Sequence, residues 1–165
     1  MSLAITIEEL LAWNNEASAW WKAHLEADPA LLELSCGIGG APTVQAFVQH
    51  IWGVELRWAQ RVAGLPTMAR ESIPAGPLDA LYDLHLQAAS IFRIQLADSS
   101  QDWKQTIMLD TPSLPPQART PTRRKAFAHA LFHSQRHWAQ LATLVRAAGF
   151  PSGFLGDLLF SSALE

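Results

Sequence analysis

The amino-acid sequence predicts an all-α protein, a four-helix bundle with one long crossover between helices three and four. Two observations carry that expectation. Four long segments space their apolar residues at helical intervals, and Pro- or Gly-bearing breaks separate them. The stretch between the third and fourth, 99–120, holds three prolines and no helical periodicity. With no internal repeat and 165 residues, a single domain over 1–165 is expected, long enough to bury a substantial core.

Helix one is expected over 6–27. Thr6-Ile7-Glu8-Glu9 reads as a capping box, and Asp28-Pro29 stops the helix. Cys36 to Pro42 is a glycine-rich loop, after which Thr43 caps helix two, 43–64. Gly64-Leu65-Pro66 ends it. The break from Ser72 leads to Pro77, suited to the first turn of helix three, 77–97. Within the crossover, Gln105 to Leu109 is β-like and allows at most a small strand or hairpin. Helix four, 122–148, follows Thr122 and ends at Gly149, with Pro151 just beyond. The tail, 153–165, is expected to pack across one end of the bundle.

Composition narrows the function. Charged residues are 16% of the chain, well below the roughly 25% of an average soluble protein. Hydrophobic residues reach 49%, and seven are tryptophan. So little polar surface implies that a partner covers some apolar area, most economically in a homodimer. The net charge of −3 argues against nucleic acid, which needs clustered, uncompensated cations. The cations that do cluster, Arg119, Arg123, Arg124 and Lys125, gather around one helix start. Cys36 is the only cysteine, so neither a disulfide framework nor a thiolate zinc cluster can form. No apolar run is long enough to span a bilayer, and the N-terminus lacks the pattern of a secretion signal. A cytoplasmic location is expected.

Chemistry enters with histidine. His129, His133 and His137 recur every fourth residue on helix four, and imidazoles at i and i+4 share a face, close enough to chelate one divalent ion. At about 100° per residue, Phe127, Leu131, Ser134, Trp138, Leu141 and Val145 form the apolar arc of that helix. His133, His137 and Gln140 line its edge. On helix two, Val44, Val48, Ile51, Trp58 and Val62 form the arc, with His50 at its border. His50 with His133 and His137 would make a three-imidazole site with an open coordination position, as in catalytic zinc sites. By spacing alone His129 could pair with His133 instead, and His85 on helix three could be the third ligand. Di-iron and protease schemes fail: no histidine follows a glutamate at three residues, and there is no HExxH. Glu55 falls within the apolar arc of helix two and needs a partner, such as an arginine of another helix, or a role as general base.

Three segments carry a family resemblance: Ala12 to Asn15 (AWNN), the run from His50 through IWGVELRWAQRVAGLP, and the run from His133 through SQRHWAQLATLVRAAGFP. Together they resemble the DinB-like (DNA-damage-inducible) superfamily of metal-binding four-helix bundles, related to bacillithiol- and mycothiol-dependent S-transferases. The likeness covers nearly the full length. It departs at Trp138 and Ala139, where family members often carry Arg-Gly. The resemblance implies His50, His133 and His137 as the metal ligands, leaving His129 outside. Gln140, Glu55, His129 and His85 become candidates for supporting or substrate contacts. Zn or Ni is the metal expected for a three-histidine centre. The expected activity is a thiol S-transferase or hydrolase acting with a low-molecular-weight thiol on a small electrophile, or else a non-catalytic metal-dependent sensor in a stress response. A dimer whose histidines fill a metal-free interior is the third possibility.

Overall fold

The computed structural model describes residues 4–109, 115–150 and 157–164. Its four long helices are α1 (Ile7–Ala27), α2 (Val44–Ala63), α3 (Leu78–Ala97) and α4 (Arg123–Ala147). Their starts are fixed by local chemistry. The Thr6 hydroxyl accepts from the Glu9 N–H while the Glu9 carboxylate accepts from the Thr6 N–H, a complete capping box. Thr43 and Thr122 cap α2 and α4 in the same first-turn manner. Gly64 ends α2 in the left-handed conformation, at φ 69°, where a side chain would be strained.

Helix directions follow from cross-helix pairs. Trp52 meets Tyr82, and Glu55 meets His85, so α2 and α3 run parallel. Trp58 meets His129, and His50 meets His137, so α4 runs antiparallel to α2. Asn14 meets Gln135 and Trp21 meets Trp138, which makes α1 parallel to α4. Each of α1 and α2 packs against both α3 and α4. The bundle is therefore two parallel pairs of opposite sense.

This arrangement corrects the expected crossover. Because α2 and α3 are parallel, the connection between them must travel back along the bundle, and residues 64–77 do so. They lie on α2 as a strap. Gln60 Oε1 accepts from the Met68 N–H at 2.8 Å, Gln49 Nε2 donates to the Ile73 and Pro74 carbonyls at 3.1 and 2.9 Å, and Gln45 Nε2 donates to Gly76 at 2.9 Å. The α3–α4 connection, in its described parts, stays at one end. There the Arg123 and Arg124 N–H groups donate to the carbonyls of Gln105 and Trp103. The β-like run pairs antiparallel ahead of α4, Ile107 N–H to Pro121 O at 2.9 Å and Leu109 N–H to Arg119 O at 2.8 Å. The tail also departs from expectation. Ser161 and Ser162 hydrogen-bond Glu16, midway along α1, while 151–156, with Pro151, fall outside the described residues.

The core is aromatic. Trp21 stacks on Trp138 at 5.5 Å, and Trp52 meets Trp138 edge-on at 5.6 Å, all three essentially inaccessible. Each such ring buries 150–250 Å², roughly 4–6 kcal/mol of gross apolar stabilisation. Trp58, assigned to the arc of helix two, is only partly buried, and Trp52 takes the interior position. No helix among the described residues is long and apolar enough to cross a membrane.

Gly53 shows what the strap demands of α2. A Cβ there would lie 2.8 Å from Ile73 Cγ2 and Cδ1. Gly53→Ala should gain about 1 kcal/mol of helix propensity but lose about 1–3 kcal/mol to overpacking. Net destabilisation is expected in urea unfolding, relieved in the Gly53→Ala/Ile73→Ala double variant. An alanine variant as stable as wild type would contradict the strap's close seat.

Candidate metal centre

Thr43 and Thr122 start α2 and α4 in registers that turn His50, His133 and His137 toward one another. One ligating nitrogen from each ring lies within 4.8 Å of the other two. His133 Nε2 and His137 Nε2 are 3.1 Å apart. Two nitrogens bound tetrahedrally to zinc at about 2.1 Å lie roughly 3.4 Å apart, so the pair on α4 already stands near chelating distance. Phe47, one turn before His50, closes one side, with its ring 5.1 Å from that of His137, edge to face.

Protonation follows from the contacts. His137 Nδ1 meets Gln140 Oε1 at 2.6 Å. A carbonyl oxygen only accepts, so Nδ1 carries the proton and Nε2 presents its lone pair to the cluster. Burial is the main cause of low imidazole pKa values here. It pushes His50 down to about 4, helped by His137, Arg70 and Arg136. His133 falls to about 3, from burial and then the His137, His50, His129 and Arg136 charges. Burial also lowers His137, against the opposing pull of its bond to Gln140. All three rings are neutral at pH 7, the form that binds metal. The residues therefore fit a divalent cation: three neutral nitrogens converge, and one ring is held in the ligating tautomer. Within the metal-free chain, a proton on His133 Nε2 can bridge to His137; a cation would replace it.

The other candidates sit elsewhere. His129 is exposed, its ring 4.9 Å from Trp58, and stays outside the cluster. His85 is buried and its Nδ1 donates to Glu55 Oε1 at 3.1 Å. Glu55, fully buried, also accepts from Asn14 Nδ2 at 2.9 Å and Ser134 Oγ at 3.2 Å. Its partner is thus His85 with two neutral donors, not an arginine. Neither Glu55 nor His85 belongs to the three-histidine cluster. Each helix contributes one member of that network.

Sequence reasoning missed the cavity of about 230 Å³ beside His50, walled by the glycine-rich loop, Gln49, Arg70 and Ile73. Its walls come from three separate segments, the glycine-rich loop, α2 and the strap, whose approach depends on contacts between residues distant in sequence. Compared with family models and with curated proteins, the sequence matches none.

The hydrogen bond from His137 to Gln140 can be tested directly. Gln140→Ala should weaken zinc affinity about tenfold, the lower end for losing the partner of a ligand because Gln140 is exposed. Chelator competition measures it. Unchanged affinity would remove Gln140 from the centre.

Proposed function

We propose that this chain is a DinB-like, divalent-metal-binding protein of the cytoplasm that uses a three-histidine centre as a thiol S-transferase or hydrolase. The observation that carries the reading is the convergence of three ligating nitrogens, one on α2 and two on α4, within 4.8 Å. Zn or Ni suits an all-imidazole set. Once bound, the cation would supply Lewis acidity, lowering the pKa of a coordinated water or low-molecular-weight thiol toward neutrality.

The chain's own residues do the rest. His50, His133 and His137 leave a coordination position free, and Gln140 holds the His137 ring in its ligating tautomer. Phe47 shields one flank from water, while the cavity beside His50 admits a small electrophile. A homodimer is part of the proposal, supported by exposed Ile94, Met108 and Phe132.

The test compares zinc- and nickel-loaded protein with the metal-free chain on a panel of thiols and electrophiles. Metal-dependent conjugation or hydrolysis above the free-ion rate is expected, with one ion per chain. Stoichiometric metal without turnover would leave a metal-dependent sensor, and no metal uptake would refute the centre itself.

A further inference from the structure

The ligand set leaves a charge imbalance. Three neutral imidazoles offset none of the charge of a divalent ion. Arg70 and Arg136 both act electrostatically on His50, and Arg136 acts on all three rings. Arg70 lies on the strap and lines the cavity that His50 also lines. Its guanidinium makes no ion pair or hydrogen bond with any described side chain, although Glu71 is its neighbour in sequence. Among the described residues, no acidic side chain lines that cavity. A volume of about 230 Å³ is below the 300–1,000 Å³ typical of drug-sized sites, so the occupant is small.

We propose that the centre acts on small organic anions, whose carboxylate is held by Arg70 in the cavity beside His50 while the reacting end faces the three histidines. A lone planar guanidinium presents two parallel N–H donors, the match for one carboxylate. Gln49 is committed to the strap through its amide N–H groups, and among the described lining residues Arg70 carries the guanidinium that can take an anion. This inference rests on the metal-centre reading and assigns the substrate class of that site.

The test uses the full chain loaded with cobalt(II), whose visible absorption reports ligand exchange at the ion. The probes are 3-mercaptopropionate and its uncharged isostere 3-mercaptopropionamide, which share a metal-seeking sulfur and differ in the carboxylate. Wild type is expected to bind the acid about five- to tenfold more tightly, a modest preference because Arg70 is solvent-exposed. Arg70→Gln should equalise the two probes while cobalt stoichiometry stays at the wild-type level. Equal affinities in wild type, or a preference that survives Arg70→Gln, overturn the proposal with the metal centre standing. Failure to take up cobalt overturns the centre, and the anion site with it.

Discussion

Replacing His133 with alanine is expected to lower zinc affinity at least about 100-fold, beyond the 10–100-fold typical of losing a ligand's hydrogen-bond partner. The substitution removes half of the chelating pair on α4 and leaves His50 and His137 on separate helices. The fold should survive, because His133 Nδ1 is a buried atom without a hydrogen-bond partner among the described residues. Helical circular dichroism at the wild-type level, with metal lost on dialysis, is the expected pattern. His129→Ala should keep its metal, since that ring lies outside the cluster. A His133→Ala protein that retains one tightly bound zinc would refute the ligand set.

The same rings set a pH signature. Folded imidazoles with pKa values of about 4 and 3, against 6.5 for the free group, bind fewer protons than their unfolded counterparts between those limits. Stability of the metal-free chain should therefore be flat above pH 6.5 and fall as pH drops toward 4. Urea midpoints at pH 7 and pH 5 give the comparison, the lower one expected at pH 5. Metal uptake should resist acid further than at an exposed histidine site, because protons compete at these two rings only near their folded pKa values.

Glu55→Ala is expected to cost about 3–5 kcal/mol, a large share of the 5–15 kcal/mol that holds a domain folded. The loss strands three buried donors: Asn14 Nδ2, His85 Nδ1 and Ser134 Oγ. Each stranded group carries a desolvation penalty of about 1–3 kcal/mol. Glu55→Gln should cost less, since its amide oxygen still accepts from Asn14 and His85 and the Ser134 hydroxyl can turn to accept. Equilibrium urea unfolding ranks the three proteins. An alanine variant within about 1 kcal/mol of wild type would show that these groups find water or new partners.

What could be read in advance follows a physical divide. Helix limits rest on neighbours in sequence: the Thr6, Thr43 and Thr122 caps, the Gly64 and Gly149 exits and the apolar spacing all act within a turn or two. The observed bounds differ from the expected ones by a residue or so at each end. The histidine triad was only partly legible. Spacing allowed His133 to pair with His129 or with His137, and the choice depends on which edge of α4 faces α2. Helix direction was hidden because it depends on where residues 64–77 run, and three glutamine side chains guide them. Glu55 announced that it needed partners, but three other helices supply them.

The Asn14–Glu55–His85–Ser134 network has a consequence for how the bundle keeps its alignment. Slippage of any helix by one turn, about 5.4 Å, would pull that helix's member off the common carboxylate. The carboxylate thus works as an axial pin. Ser134, on that pin, directly follows His133 in α4, and Glu55 lies little more than a turn beyond His50 in α2. Both helices that carry the histidine cluster are consequently locked lengthwise, so a cation bound there would not have to spend binding energy on bringing them into line.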